Sequence, residues 1–279
     1  MKSKKINTRN SATPAIWRIG RELPETPLAV RQQLDQIVGF LCENTGANLI
    51  GVYLHGSLAM GCFNPDQSDI DLLMITKETL EESVARRVLI GLLAASGQPC
   101  PMEISSVCYA QIVPWRHPSP YDLHFSETHR AHLTALLTQS GAPLPTPGVD
   151  PDLAAHFTVL QARGRRLYGA PIADLPLATP WADYLDSLRQ DFAWARAAGG
   201  VYAVLNACRT WAAVEEGLVF SKAEGAEWAQ PRLPTSLRRV VRAAAHCYAG
   251  TAQELPETSA LLDWVHTRLG WQEKMPAIA

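Results

Sequence analysis

The stretch Gly51–Thr76, GVYLHGSLAMGCFNPDQSDIDLLMIT, places a Gly-Ser turn and an Asp-x-Asp pair either side of an eleven-residue spacer. An apolar run ends in Gly56-Ser57, and Asp69-Ile70-Asp71 opens a second apolar run. Phosphoryl and nucleotidyl transfer need charge neutralisation more than covalent chemistry. Magnesium, a hard ion, prefers carboxylate oxygens and shares triphosphate oxygens. Residues at i and i+2 of a strand point to one face, so Asp69 and Asp71 would stand side by side. Gly56 lets the backbone approach a phosphate, and Ser57 offers a hydroxyl and an N–H to its oxygens. A helix starting at Ser57 would add its positive end. Asp-x-Asp alone is common on exposed strand edges. The ordered set of strand, Gly-Ser, spacer, Asp-x-Asp and strand is far more specific.

A third carboxylate, Glu103, sits near the start of the apolar run Met102–Tyr109. A neighbouring strand would bring it beside the pair, where it could bind metal or take a proton from an attacking hydroxyl. Two nearby aspartates would raise its proton affinity, which suits a base. A surface glutamate at a strand edge is the plainer reading.

The elements that must hold these groups follow from periodicity. Leu28–Leu41 has helical spacing, Asn48–His55 and Asp69–Thr76 read as strands, Glu78–Ala95 as a helix and Met102–Tyr109 as a third strand. Pro114–Pro120 is a loop, and Tyr121–Thr138 reads as a helix. Ser140–Pro151, SGAPLPTPGVDP, is the expected domain junction. Beyond it, Asp152–Leu167, Trp181–Ala198, Tyr202–Glu216, Ser221–Gln230, Leu237–Tyr248 and Pro256–Leu269 all carry helical periodicity, with no convincing strand. The expected layout is a tail at 1–20, an α/β unit at 21–148 and an all-helical unit at 149–279.

Composition bounds the function. The chain has 279 residues, is 47% hydrophobic and 19% charged, and carries a net charge of −2, which supports a real core and argues against coating of nucleic acid by bulk charge. Its six cysteines are scattered with no CxxC pair, which fits reduced thiols in a cytoplasmic protein better than a zinc site or a disulfide framework. The basic N-terminus lacks an apolar signal core, and no apolar stretch would span a membrane. His124, His129 and His132 read as one amphipathic helix, not a metal site. Arg163, Arg165 and Arg166 form a basic run after a helix, and Arg238, Arg239 and Arg242 a solvated face. There is no P-loop and no Ser-His-Asp arrangement around Ser57.

Gly56-Ser57, Asp69-Ile70-Asp71 and Glu103 together resemble the polymerase-β-like nucleotidyltransferase superfamily. SDIDLLMIT, MEISSV, IVPWRHP, DLHFSETHR, VLNACRTW, GLVFSKAEGAEWA and RLP are similar to the streptomycin/spectinomycin adenylyltransferases, the aminoglycoside 3″- and 9-adenylyltransferases. The resemblance covers nearly the whole chain after the tail. It implies an α+β protein: a mixed sheet flanked by helices, then an all-α bundle, with substrate between them. It implies that Ser57 binds triphosphate, Asp69 and Asp71 hold Mg2+, and Glu103 is the base. Arg209 and Lys222 match positions that meet the ATP phosphates, and Tyr248 a tyrosine near the nucleotide; taken alone, the two cations read as surface charge. Trp115 matches a loop tryptophan that contacts streptomycin, with a core-covering aromatic as the plainer reading. Where the family places an aspartate ten residues before its arginine, this chain has Gly199. That weakens streptomycin and leaves Asp191 or Trp194 as substitutes, with spectinomycin, streptomycin or both still open. Glu215 and Glu216 are further candidates for attracting a cationic drug. The expectation is a cytoplasmic monomer that uses ATP and magnesium to transfer AMP to an aminoglycoside hydroxyl, giving resistance, with no membrane or nucleic-acid partner. A protein or RNA acceptor, or a nucleotide sensor without catalysis, are the alternatives.

Overall fold

A computed structural model describes residues 23, 26–139, 143–144, 147–175 and 177–271. The tail expected at 1–20 and part of the Pro-rich segment lie outside the described residues. The N-terminal half runs through α1 (Leu28–Thr45), β1 (Leu49–Leu54), α2 (Gly56–Ala59), β2 (Ile70–Thr76), α3 (Glu82–Ala95), β3 (Met102–Cys108) and α4 (Tyr109–Ile112). It continues through β4 (Ser119–Tyr121), β5 (Leu123–Phe125), α5 (Arg130–Thr138), β6 (Gly148–Asp150), α6 (Leu153–Arg163) and β7 (Arg165–Gly169). Among the described residues, the main sheet has the order β5-β3-β2-β1-β7. Only β2 and β3 are parallel, joined through α3 as parallel strands require; the other pairs are antiparallel.

Both faces of this sheet are covered, which explains why β2 reads as a nearly continuous apolar run. Ile70, Leu72 and Met74 face one core with Leu34, Leu41, Leu89 and Leu92 of α1 and α3. Leu73 and Ile75 face a second core with Leu153, Phe157 and Leu160 of α6. Strand alternation therefore assigns Asp71 to the α6 face. Burying Phe157 there contributes roughly 2–3 kcal/mol.

Two expectations are corrected. Tyr121–Thr138 is not one helix: Leu123–Phe125 forms a strand against β3, followed by a 3-10 turn and the shorter α5. Leu123 and Phe125 both enter the core from this strand, which is too short to display a period of its own. His124 thus lies on a strand, bonded through Nδ1 to Ser105 Oγ at 3.0 Å, while His129 Nδ1 meets Ser126 Oγ. Nor does the sheet end before the Pro-rich segment. The helix expected to reach Leu167 stops at Arg163, and β7 supplies an edge strand on β1.

The remaining helices are α7 (Trp181–Ala198), α8 (Gly200–Glu216), α9 (Lys222–Ala229), α10 (Thr235–Tyr248) and α11 (Ser259–Leu269). They agree with the helical periodicity within a few residues. α8 is the hub, with Ala203, Ala207 and Ala212 fully buried in its interior. Trp211 meets Trp228 and Trp264 edge-on at 4.7 and 4.9 Å. Ser221 starts α9 with a capping box closed by Glu224.

Candidate active site

The register of β2 on β3 sets Asp71 directly opposite Glu103. Asp69 lies one residue before β2 and two before Asp71, so the three carboxylates converge at the starts of the parallel strands. Burial pushes Asp71 up to about 7, and the Glu103 charge adds to that shift. Burial likewise raises Asp69, against the nearby Lys222 cation. Glu103 is raised by burial, with His156 opposing, yet keeps 29% of its side-chain surface open to an incoming hydroxyl. Such a cluster of raised carboxylates calls for a cation.

Gly56 is required where it stands. It opens α2, two residues past the end of β1, with φ +63°, and a β-carbon on it would overlap the Asp71 carboxylate. Ser57 Oγ is buried without a hydrogen-bond partner among the described residues. The helix expected after Ser57 is a single turn, Gly56–Ala59, too short to build up an end charge. Any anion here would be met by the Ser57 hydroxyl and by cations from the helical half.

Those cations are present. Lys222, the first residue of α9, places Nζ 4.3 Å from the Tyr202 ring centroid. Burial lowers its proton affinity, Arg209 lowers it further, and the Asp71 charge works against both. Arg209 of α8 donates to Asp191 Oδ2 at 3.0 Å and Asn206 Oδ1 at 2.5 Å, and leaves Nε buried without a partner. Tyr248 at the end of α10 shares a 2.6 Å hydrogen bond with Ser68 Oγ, and its carbonyl accepts from Asn64 Nδ2. It therefore clips the helical half to the loop that precedes Asp69.

The expected acceptor residues lie on the α7 side. Trp115 donates from Nε1 to Asp183 Oδ2 at 2.7 Å and packs edge-on against Phe157 at 5.6 Å, so it ties its loop to α7 and the core. Asp191 accepts from the Tyr202 hydroxyl as well as from Arg209, and links α7 to α8. Gly199 has φ +69° at the corner between these helices, and Trp194 stands 66% exposed beside Tyr202. Glu215 and Glu216 are instead taken up by Arg268 and Arg232 and by the Trp211 and Trp228 indoles. Those pairings neutralise the charge expected to attract a drug. Arg163, from the discounted basic run, pairs with Glu224 and so fastens α6 to α9.

The sequence reading missed a histidine pair. His156 of α6 places Nε2 3.9 Å from Glu103 Oε1 and 3.5 Å from Asp152 Oδ2. The His55 ring, one residue before Gly56, lies 4.6 Å from it. Burial disfavours a charged His156, but Asp152 outweighs it and, with Glu103, pushes the group up to about 10. Burial and the neighbouring His156 hold His55 well below its ordinary value, hence neutral. Burial works to raise Asp152, but His156 and the Ser187 hydroxyl overcome it and hold that carboxyl well below the usual range. The available signal was Asp152 and His156 at i and i+4, which share a helix face.

Both halves of the chain resemble known proteins. The nucleotidyltransferase domain family matches residues 34–117, and the C-terminal domain family of aminoglycoside adenylyltransferases matches 177–267. An aminoglycoside (3″)(9) adenylyltransferase of Klebsiella pneumoniae is 28% identical over 251 residues, 85% of this chain and 92% of that protein. A spectinomycin 9-adenylyltransferase of Staphylococcus aureus is 24% identical over 216 residues, 74% of this chain and 80% of that protein. The crystal structure of a spectinomycin adenyltransferase from Enterococcus faecialis, with ATP and spectinomycin, superposes with a TM-score of 0.75 at 19% identity. That likeness covers 86% of this chain and 99% of the other, and shows a shared fold. With both domain families matched in order and relatives aligned along most of its length, the chain joins a nucleotidyltransferase domain to an aminoglycoside adenylyltransferase C-terminal domain and is similar to aminoglycoside adenylyltransferases.

Proposed function

We propose that this enzyme transfers AMP from ATP to a hydroxyl of an aminoglycoside or aminocyclitol antibiotic, spectinomycin or streptomycin, and so confers resistance. The observation that carries the proposal is the pairing of Asp71 with Glu103 across parallel strands, beside Gly56-Ser57 and near Lys222, which Arg209 neighbours. The nucleotidyltransferase half in this reading runs through β7, and the helical half begins with α7.

The carboxylates suit magnesium. They are hard oxygen donors, with Asp69 and Asp71 raised by burial and, among the described residues, without hydrogen bonds to other side chains. Among the described residues they form no closed three-ligand cage, which fits an ion that keeps water and triphosphate oxygens as ligands. Magnesium, held by Asp69 and Asp71 with Glu103 adjoining, would supply charge neutralisation at the triphosphate. Ser57, Lys222 and Arg209 would bind its oxygens, and Tyr248 would hold the loop beside it. Glu103 takes the proton from the acceptor hydroxyl. The hydroxyl oxygen bonds to the α-phosphorus, the bond from that phosphorus to the β-phosphate bridge breaks, and pyrophosphate leaves. Trp115 and Asp191 would border the acceptor from the α7 side.

Pyrophosphate release by the purified protein with ATP, magnesium and each antibiotic tests this reading. Release with either drug is expected. Silence with both, and label from α-labelled ATP retained on a macromolecule in a lysate, would move the acceptor to a protein or RNA.

A further inference from the structure

The histidine at position 156 belongs to neither the carboxylate set nor the phosphate clamp, yet it touches both sides of the site. Its Nε2 lies between the Glu103 and Asp152 carboxylates. Asp152 is in turn fixed from the helical half, because Ser187 of α7 donates its hydroxyl to Asp152 Oδ1 at 2.7 Å. The other face of the ring meets His55, whose backbone N–H bonds the Asp71 carbonyl at 3.0 Å and whose next residue is Gly56. One imidazole thus joins the end of β1, the start of β3 and the start of α6 to α7. Among the described residues its Nδ1 has no partner, so the orienting contacts all fall on Nε2.

We infer that His156 is the positioning residue of Glu103, which it holds toward the acceptor and connects through Asp152 and Ser187 to α7. Nε2–H is the group that faces both carboxylates. At 3.9 Å the contact with Glu103 is electrostatic rather than a hydrogen bond; such contacts commonly tighten once substrate is bound. A glutamate at a strand start, with part of its surface open, has several rotamers. A fixed donor on one side selects among them, and selection of geometry by an outer partner is worth about 10–100-fold in activity. This inference rests on the reading of Glu103 as the base.

The test compares His156→Leu, which removes the donor, with His156→Gln, whose amide N–H can stand near the Nε2 position. Pyrophosphate release, thermal midpoints and crystal structures are measured for both and for the wild type. His156→Leu is expected to lower kcat by about 10–100-fold with KM for ATP changed by less than about twofold, and His156→Gln to restore much of the loss. In the crystal structures, Glu103 should turn away in His156→Leu and stay in place in His156→Gln. A purely structural histidine would lower the thermal midpoint in both variants without separating them in kcat. If His156→Leu does not fold, Ser187→Ala reads the same chain and should lower kcat in the same direction. Wild-type kcat in a folded His156→Leu, or an unmoved Glu103, overturns the inference. Should the wild type act on neither drug, the proposed acceptor falls, while the position of Glu103 in the two variants still decides the role of His156.

Discussion

The Asp71 carboxylate fills the space that a side chain on residue 56 would need: a β-carbon there would stand 1.8 Å from Asp71 Oδ2. The glycine of the Gly-Ser turn thus makes room for the carboxylate proposed to hold metal. Gly56→Ala is expected to displace Asp71 and to cost about 1–2 kcal/mol through its left-handed backbone alone. Pyrophosphate release should fall to background. Near-normal turnover by a folded Gly56→Ala protein would show that the carboxylate has room to move.

Asp71 is costly to bury as an anion in the metal-free protein. Asp71→Asn removes that charge at nearly constant volume, so it should raise the thermal midpoint by about 2–4 °C while turnover falls by about 100-fold or more. Scanning calorimetry and pyrophosphate release check the two halves of this trade-off. A lower midpoint would mean that the carboxylate makes favourable contacts of its own without metal.

The raised groups set a pH window. Asp71 goes from 3.8 unfolded to about 7 folded, so the folded protein holds a proton that the unfolded chain has lost. That contribution to stability is present below 3.8 and is lost as pH rises to about 7. His156 goes from 6.5 to about 10, so its contribution is full below 6.5 and is lost as pH rises to about 10. Metal-free protein should therefore become less stable in this contribution from weakly acidic to weakly alkaline pH. Magnesium competes with the proton on Asp71, so its stabilising effect with ATP should be larger at about pH 8 than at about pH 5.5. Thermal midpoints with and without Mg-ATP at both values measure this. An equal metal effect at both would contradict it.

Gly225 sets the spacing of α8 and α9, which carry Arg209 and Lys222. A β-carbon on it would stand 2.5 Å from the Arg209 Cα and 2.6 Å from its N, both backbone atoms unable to yield. Gly225→Ala should force α9 off α8 at a cost of about 1–3 kcal/mol. Lys222 would shift relative to Arg209, and kcat/KM for ATP should drop by about 10–100-fold. Steady-state kinetics with ATP varied would show whether the loss falls there, as expected, or on the antibiotic.

Much of the chemistry was legible because it is local. Gly56-Ser57, the spacer and Asp69-x-Asp71 sit within one strand–turn–strand unit, with Asp71 in β2 and Asp69 one residue before it. The α8 and α9 helices were legible for the same reason, since 3.6-residue periodicity and the Ser221–Glu224 capping box are properties of short segments. β5 and β7 were not: each is short, and each becomes a strand only through pairing with β3 or β1, far away in the chain. Which carboxylate would meet Arg209 depended on how α7 returns alongside α8, and that carboxylate is Asp191.

The sequence by itself determined the acidic chemistry, the turn that a phosphate would approach and the presence of a helical half, because contiguous residues encode them. Tertiary packing alone sets Asp71 against Glu103, brings Lys222 to Asp71 with Arg209 near it, and stands His156 between Glu103 and Asp152. Those contacts join strands and helices whose pairing arises from burying a shared core, and that pairing leaves no period in any one segment.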